Sequence, residues 1–428
     1  MTNLDVPHRL LVPIGTRLVS ITRTSIGREG KRFLATGEVM GNEKISDKQN
    51  VPLLDVSRSN QPIHDEIVAA MTEVIDSGKF VLGPASVQLE SAVARVCDAK
   101  HAVGCGSGSD ALLLSLMAFD VQPGDEVIVP SFTFFATASA VWRLGAKPVF
   151  VDIEPDSFNL DPQLVEAALT PATKAIIPVH LFGQCADMDP IHGVASQHGM
   201  AVIEDAAQAI GARYRDRPAG SLGDVGCFSF YPTKNLGGFG DGGMMTTSND
   251  ELAQRLKLLR GHGMHPRYYH QFVGINSRLD SVQAAGLNVK LPYLAEWTRQ
   301  RQENAARYHR LFQQASLEDV LIVPSHPDFM EHVWNQYSIR ILSGQRDALR
   351  EYLSQQGIGS EIYYPVPLHQ QKCFQTLDYQ EGSLPETERA SREVLSLPIF
   401  PELSKREQTT VVEQIGDFFR SQRGTQAA

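Results

Sequence analysis

Short apolar segments alternate with longer helical patterns from Pro52 onward, at intervals of about 25 residues. The apolar segments cover 101–105, 126–130, 148–153, 174–180, 201–204, 225–230 and 244–247. Most of them show no polar alternation, which is typical of strands that are covered on both faces. The pattern predicts an α/β fold built on a large, mostly parallel sheet of seven strands.

Helical periodicity fills the intervals and continues beyond the last of these strands. Predicted helices cover 110–118, 162–169 and 304–312, and the last of these belongs to a long amphipathic pattern that bridges two domains. After it, 336–341 is predicted to be a strand and 346–355 and 389–395 are predicted to be helices. We therefore expect a large α/β domain over 51–290 and a smaller C-terminal α+β domain over 291–420.

The first 50 residues differ from the rest of the chain in charge. Residues 1–39 carry six basic and three acidic side chains, whereas the whole chain has a formal net charge of −10. A segment rich in Arg, Ser and Thr and poor in acids has the composition of an organelle transit peptide. We favour a mis-assigned translation start or a disordered N-terminal extension, which explains the segment better than a transit peptide does.

Composition excludes several classes of protein. Hydrophobic residues make up 42% of the chain, enough for a large core, but no apolar run reaches the ~18 residues of a membrane span. The acidic net charge disfavours general nucleic-acid binding. Five widely spaced cysteines form no disulfide framework and indicate a reducing cytoplasm. No cluster of His, Cys and acidic residues has zinc spacing, so we expect no metal.

A glycine-rich turn over 104–110 follows the first predicted strand and precedes a helix. Glycines allow the backbone to approach an anion, and the start of a helix offers N–H groups and the positive end of a dipole. The turn therefore predicts a phosphate site, although a tight turn in which Ser109 or Asp110 caps the helix explains the same residues. Its spacing matches neither the dinucleotide fingerprint nor the P-loop.

Two further segments carry polar groups at strand ends. Asp205 ends an apolar strand, at the edge where parallel sheets bind ligands, although a turn-forming role is the alternative. Lys234 lies between an aromatic strand and a run with five glycines. Partial loss of water there would lower its pKa and make its amine a nucleophile, whereas an ordinary exposed loop lysine is the alternative.

An anion site, a carboxylate and such a lysine together meet the requirements of pyridoxal 5′-phosphate (PLP). Ionised Asp205 would keep the ring nitrogen protonated and make the ring an electron sink. Lys234 would form a Schiff base with the aldehyde and, once displaced by an incoming amine, would move a proton between the substrate carbon and the cofactor. Reversible amino transfer, with Lys234 and Asp205 as its catalytic residues, is the simplest outcome.

From about residue 53 to residue 415 the chain resembles the sugar aminotransferases of the DegT/DnrJ/EryC1/StrS family. The matching segments include LGP (82–84), GSGSDAL (106–112), PGDEVIVPSFTFFATA (123–138), VIEDAAQAIGA (202–212), FSFYPTKNLGGFGDGGM (228–244) and GINSRLDSVQAA (274–285). The resemblance implies a fold-type I PLP-dependent transferase and a homodimer with active sites at the subunit interface. It also implies L-glutamate as amino donor to a nucleotide-linked ketosugar.

The resemblance implies that nine residues hold the cofactor: Gly108, Ser109, Asp110, Phe134, Asp205, Gln208, Ser229, Lys234 and Asn276. The first three, together with Ser229, would contact the phosphate, and Asn276 would reach the phosphate of the neighbouring subunit. Phe134 would stack on the ring face, and Gln208 would lie beside the ring.

Two details of the resemblance bear on the substrate. The run NLGGFGDGG after the lysine is similar to family members that aminate C-3 of a ketosugar, whereas members acting at C-4 more often show a TTGEGG-like run. Where many members have His-Tyr-Pro, this chain has Tyr363, Tyr364 and Pro365, which changes the expected sugar or diphosphate site. We expect amination at C-3, in amino-sugar or surface-polysaccharide biosynthesis.

Two other functions are compatible with the same scaffold. A PLP-dependent sugar dehydratase of the related type has histidine at the lysine position, and Lys234 disfavours it. A PLP-binding regulatory protein would need a DNA-reading helix or a basic face, which the acidic chain lacks. His180, His262 and His369 follow functional-looking segments, but each is expected to be a structural histidine rather than a catalyst.

Overall fold

The computed structural model describes residues 10–14, 17–21, 50–342 and 344–426. Residues 1–47 and 48–428 form separate units. In the first unit, an antiparallel hairpin joins β1 (Leu10–Ile14) to β2 (Arg17–Ile21). The sequence predicted no regular element there, and the rest of the expected N-terminal extension lies outside the described residues, apart from residue 50.

The second unit contains all the other strands and helices. Its strands are β3 (His101–Cys105), β4 (Glu126–Pro130), β5 (Lys147–Val151), β6 (Thr173–Ile176), β7 (Ala201–Asp205), β8 (Arg213–Tyr214), β9 (Arg217–Pro218), β10 (Val225–Ser229), β11 (Gly243–Thr247), β12 (Leu321–Ile322), β13 (Met330–Glu331), β14 (Tyr337–Ile341) and β15 (Val394–Leu397). Its α-helices are α1 (Val56–Asn60), α2 (His64–Ser77), α3 (Pro84–Val96), α4 (Gly108–Ala118), α5 (Ala136–Arg143), α6 (Pro162–Val165), α7 (Met188–His198), α8 (Asp250–Leu259), α9 (Ser281–Lys290), α10 (Leu294–Ala315), α11 (Arg346–Gln355), α12 (Pro385–Glu393) and α13 (Lys405–Gln426).

A seven-stranded sheet forms the centre of this unit, in the order β3-β11-β10-β7-β6-β4-β5. The strands from β10 to β5 are parallel neighbours, whereas β11 pairs antiparallel with both β10 and β3. Six strands therefore run in one direction and one runs against them. The predicted α/β fold with a mostly parallel seven-stranded sheet is confirmed.

Successive residues of the central strands face two different cores, which explains their continuous apolar composition. In β7, Val202 packs into the core on one face of the sheet and Ile203 into the core on the other. In β11, Met244 and Met245 divide in the same way. Side chains alternate across a strand, so a strand covered by helices on both faces needs an apolar residue at every position.

The C-terminal part of the chain forms a third core around the antiparallel sheet β12-β14-β15. Tyr308 of α10, Tyr337 of β14 and Ile415 of α13 are fully buried in it. Val51 packs into the same core, and its N–H donates to the carbonyl of Gly357 at 2.9 Å. The start of the expected large domain thus contacts the C-terminal sheet, and the boundary at 290/291 stays a prediction.

The predicted helix over 389–395 is wrong at both ends. Helix α12 begins earlier, at Pro385, and the chain turns into strand β15 at Val394. Leu395 and Leu397 pair with β14 and are fully buried, so sheet pairing overrides the local helical pattern. The predicted helix over 162–169 is a single turn of α-helix followed by a 3₁₀ turn, and β6 ends four residues before the predicted position 180.

Among the described residues, no helix combines the length and the apolar character needed to cross a bilayer. In the same part of the chain, no three His, Cys, Asp or Glu side chains are grouped so that they could hold a metal ion. The expectation that the protein uses no metal stays a prediction.

Candidate active site

Four segments meet at the carboxyl edge of the central sheet. Asp205 is the last residue of β7, and Ser229 is the last residue of the adjacent parallel strand β10. The turn after β3 enters helix α4 at Gly108, and Lys234 follows the end of β10 by five residues. Because the carboxyl ends of parallel strands lie at one edge of a sheet, residues distant in sequence are brought together there.

The turn before α4 has the features of an anion site. A Cβ built on Gly108 would lie 2.8 Å from the Cβ of Ser229, so only glycine allows the helix start to approach the end of β10 this closely. The first turn of a helix carries N–H groups without intrahelical partners and a partial positive charge. Ser107 caps the helix, accepting a hydrogen bond at Oγ from the N–H of Asp110 at 3.1 Å. Neither Ser109 nor Asp110 is the cap.

The Asp110 side chain is held by a serine from a distant segment. Ser277 Oγ donates to Asp110 Oδ2 at 2.8 Å and accepts from the N–H of Gly106 at 2.9 Å. Since both the N–H and the carboxylate of Asp110 have partners within the protein, its predicted contact with the phosphate stays a prediction. Asn276, next to Ser277, is exposed on the surface of its own chain. Its contact with the phosphate of a neighbouring subunit likewise stays a prediction.

Asp205 is 5% exposed and is hydrogen-bonded through both oxygens. Thr137 Oγ1 donates to Asp205 Oδ2 at 2.7 Å, and the N–H of Ala207 donates to Oδ1 at 3.2 Å. Burial raises the pKa of Asp205, while these two hydrogen bonds and the positive charge of Lys234 oppose the rise. Thr137 was missed by the sequence analysis. Its position soon after the end of β4 was the only signal that could have indicated it.

Lys234 lies in a turn at the mouth of this site. Its N–H donates to the carbonyl of Tyr231 at 2.9 Å, and the residue is half-buried rather than an ordinary exposed loop lysine. Burial lowers the pKa of Lys234 to about 8, against the opposing effect of the Asp205 charge. At pH 7 such a pKa leaves about one amine in ten unprotonated, compared with about one in 3,000 for an unperturbed lysine.

Aromatic and amide groups gather beside Asp205. Phe134 is 57% exposed, and its ring centroid lies 6.2 Å from that of Tyr364. Gln208 accepts a hydrogen bond at Oε1 from the N–H of Phe182 at 2.7 Å, and its Nε2 donates to the Tyr364 hydroxyl at 3.4 Å. Burial and the nearby charge of Asp205 raise the pKa of Tyr364. Tyr364 therefore belongs to this group, although the sequence analysis assigned it no role.

The two neighbouring acids at the end of β7 have different functions. Glu204 is fully buried on the other face of the strand and accepts three backbone N–H groups from 220–223 at 2.7–2.8 Å. The N–H of Ala186 donates to His180 Nδ1, which leaves Nε2 of His180 to donate to Glu204 at 2.9 Å. The side chains of Glu204 and His180 thus anchor the loop over 220–223, while the N–H of His180 donates to the backbone carbonyl of Asp205 at 3.0 Å.

The other two histidines singled out in the sequence also lack a place in the group. His369 is buried, with Nδ1 2.7 Å from Ser131 Oγ and Nε2 3.4 Å from Glu388. His262 is exposed in the loop after α8. Tyr363, which stands where many members of the resembled family have histidine, is partly buried, with its ring centroid 5.9 Å from that of Tyr364.

A model of the DegT/DnrJ/EryC1/StrS aminotransferase family matches residues 61–416. The chain belongs to this family. It is 52% identical over 371 residues to a pleiotropic regulatory protein of Geobacillus stearothermophilus, covering 87% of this chain and 99% of that protein. It is 45% identical over 357 residues to UDP-N-acetyl-3-dehydro-alpha-D-glucosamine 3-aminotransferase of Acidithiobacillus ferrooxidans, covering 83% and 95% of the two chains.

Solved structures share this fold. DesV of S. venezuelae, solved in complex with a ketimine intermediate, superposes with a TM-score of 0.83 at 43% identity. The match covers 86% of this chain and 98% of DesV. Together with the order of the seven strands, it confirms the fold-type I architecture expected from the sequence.

Proposed function

We propose that this chain is a PLP-dependent aminotransferase that transfers an amino group from L-glutamate to a nucleotide-linked ketosugar. The observation that carries the proposal is the position of Lys234, a half-buried amine with a pKa near 8, at the same sheet edge as buried Asp205 and the helix-start anion site. A lysine with a lowered pKa beside a buried carboxylate is typical of an active site, because strongly shifted pKa values cluster at functional sites.

The residues present fit PLP. Gly108, Ser109, Asp110 and Ser229 would hold its phosphate, where the close approach of α4 to β10 depends on the missing Cβ at Gly108. The other residues that would contact it are Phe134, Asp205, Gln208, Lys234 and, from the neighbouring subunit, Asn276. When bound, PLP supplies an aldehyde that amines attack and a pyridinium ring that accepts electrons.

The protein groups then supply orientation and proton transfer. The carboxylate of Asp205, whose ionised form is favoured by the hydrogen bond from the Thr137 hydroxyl, would accept a hydrogen bond from the protonated ring nitrogen. Nζ of Lys234, unprotonated in part at neutral pH, would move a proton from the α-carbon of the amino donor to the cofactor in one half of the reaction. In the other half it would move a proton from the cofactor to the sugar carbon that receives the amino group. Phe134 and Gln208 would fix the plane of the ring.

We propose C-3 of the ketosugar as the site of amination, within amino-sugar or surface-polysaccharide biosynthesis. The glycine-rich run after Lys234 supports this choice, and so does the relative from A. ferrooxidans, whose name specifies a 3-dehydro sugar and a 3-amino product. Incubation with glutamate and matched 3-keto and 4-keto nucleotide sugars, followed by product analysis, tests it. Exclusive turnover of the 4-keto sugars would contradict it.

We also propose a homodimer with shared active sites, in the cytoplasm. Exposed apolar side chains in and around the LGP segment support an interface there: Phe80, Val81, Leu82 and Val87 are 45–57% exposed and line an open pocket of about 860 Å³. All five cysteines are free thiols, which suits a reducing compartment. Light scattering of the purified protein tests the dimer, and a monomer at working concentrations would contradict it.

Covalent attachment of the cofactor tests the core of the proposal. The purified protein, supplied with PLP, should absorb in the visible range and, after borohydride reduction, carry the cofactor mass on the peptide that contains Lys234. Lys234→Ala should lose both signals. Lys257→Ala, which removes an exposed lysine of helix α8, is the matched control and should keep them. A wild-type protein that is colourless after incubation with PLP and removal of the unbound cofactor would refute the proposal.

A regulatory role is the second candidate, because the relative from G. stearothermophilus carries that name. It predicts PLP binding without turnover of glutamate. Loss of the bound cofactor's visible band on adding glutamate, followed by its return on adding a ketosugar nucleotide, would favour the aminotransferase.

A further inference from the structure

One face of helix α9 holds the loop that follows Lys234. Gln283 Oε1 accepts a hydrogen bond from the N–H of Phe239 at 2.8 Å. At Gly286 a built Cβ would lie 2.5 Å from Cε2 of Phe239, so the ring packs directly against the helix backbone. Lys290 completes the row. Because 283, 286 and 290 are three and four residues apart, they lie on the same side of the helix.

Lys290 is the unusual member of this row, since it is 3% exposed. Its Nζ donates to the carbonyl of Gly237 and lies 5.3 Å from the ring centroid of Phe239 and 5.9 Å from that of Trp297. Lysines are almost never fully buried unless their charge is compensated. The carbonyl and the two ring faces favour the charge, because the electron-rich face of an aromatic ring attracts a cation. Burial opposes them and lowers the pKa of Lys290 to about 8.

The contact at Gly237 reaches the turn that carries Lys234. A Cβ built on Gly237 would lie 2.3 Å from the carbonyl oxygen of Pro232, so the two backbones are in direct contact. The next residue, Gly238, donates its N–H to the carbonyl of Phe230 at 2.7 Å. A hydrogen bond that fixes the carbonyl of Gly237 therefore also fixes the backbone on which Lys234 is mounted.

We propose that Lys290 is a positioning residue for Lys234. The ammonium of Lys290 holds Gly237 and Phe239 against α9, and this contact sets the position of the Lys234 amine. Gln283 and Gly286 contact the same loop, and we call the three α9 residues, Gln283, Gly286 and Lys290, the α9 clamp. The reaction assigned to Lys234 rests on the proposed function, whereas the mechanical coupling of Lys290 to the loop does not depend on it.

The test compares Lys290→Met with Lys257→Met, which removes an exposed lysine of helix α8 and changes the net charge equally. Hydrogen exchange of the peptide over 235–242 is measured in the full-length protein with and without PLP. We expect exchange about ten-fold faster or more in Lys290→Met and no change in the control. Amino transfer should show a kcat about 10- to 100-fold lower with little change in the KM for the sugar, because only the reacting amine is displaced.

The conservative variant and a second contact separate positioning from general stability. Lys290→Arg keeps a cation over Phe239 and should recover part of the loss in both measurements. If Lys290→Met does not fold, Gln283→Leu, which removes the acceptor for the Phe239 N–H, should show the same two effects more weakly.

Two outcomes would overturn the proposal. Unchanged exchange over 235–242 would show that Lys290 does not hold the loop. Faster exchange with an unchanged kcat would show that the loop does not position Lys234. If the wild-type protein transfers no amino group, the proposed function fails separately. In that case two measurements test the role of the α9 clamp: hydrogen exchange over 235–242, and the rate at which an amine reagent labels Lys234 in Lys290→Met and in Lys257→Met.

Discussion

Replacement of Thr137 by valine should change the pH range in which the enzyme works. The Thr137 hydroxyl donates to Asp205 Oδ2 at 2.7 Å, and Asp205 is buried. Burial raises the pKa of Asp205, and the hydroxyl is one of the groups that lower it. Removing the hydroxyl therefore raises the pKa further, and the ionised carboxylate is lost at a higher pH than in the wild type.

The size of the effect follows from the kind of hydrogen bond. A hydrogen bond to a charged group contributes about 1.5–3 kcal/mol. That energy corresponds to a factor of about 10 to 150 in the ratio of ionised to protonated Asp205. Valine has nearly the same shape as threonine, so loss of the bond is the main consequence. The acid limb of kcat/KM should move toward higher pH by about one to two pH units.

The assay is the pH profile of kcat/KM, measured for amino transfer with the PLP-loaded protein. Thr137→Ser, which keeps the hydroxyl, should retain most of the wild-type acid limb. Ser139→Ala is the matched control, because it removes from the same helix a hydroxyl that donates to the carbonyl of Ala136 at 3.3 Å. A Thr137→Val profile that coincides with that of Ser139→Ala would refute the role given to this hydrogen bond.

Mixing inactive Lys234→Ala and Asn276→Ala subunits should restore about a quarter of wild-type activity, because half of the randomly reassembled dimers would carry one intact shared site. No gain over the separate variants would place Asn276 in its own subunit's site. In the cofactor-free protein, labelling of Lys234 by an amine reagent should have a midpoint near pH 8, and Asp205→Asn should lower that midpoint because it removes a charge that raises the pKa. Peptide mass spectrometry measures the midpoint in the wild type and in Asp205→Asn. Equal midpoints would show that the charge of Asp205 does not act on Lys234. Gly108→Ala should weaken PLP binding about ten-fold or more, because its Cβ would lie 2.8 Å from the side chain that ends β10. Fluorescence titration measures it against Gly193→Ala, whose Cβ would meet nothing within 4 Å, and equal affinities would count against the anion site.

The sequence predicts a candidate site where strand ends carry polar or glycine-rich segments, and the structure brings those segments to one edge of the sheet. Asp205, Ser229 and Lys234 all follow apolar runs whose length and composition identify them as buried strands. The direction of parallel strands then places these residues at one edge of the sheet without knowledge of the tertiary structure. For these residues the local apolar pattern and the sheet topology both indicate a position at the end of a buried strand, and for that reason their position could be predicted.

Residues that act through contacts between distant segments could not be found in this way. Thr137 and Lys290 lie on helices, and nothing in their local sequence distinguishes them from ordinary helical residues. The roles proposed for them depend on a hydrogen bond to Asp205 and on one to Gly237, each formed only in the folded chain. The incorrect helix over 389–395 has the same cause, since pairing with β14 decides the conformation of its last residues.

The place of β3 at the edge of the central sheet has a consequence for biosynthesis. Its one neighbour in that sheet is β11, which leaves the ribosome about 140 residues later, a delay on the order of ten seconds. During this interval β3 and the glycine-rich turn beyond it, the proposed phosphate site, have no sheet partner. Cofactor capture must therefore await emergence of the segment after Lys234, and newly made chains that stall before it would expose an unpaired apolar strand to chaperones.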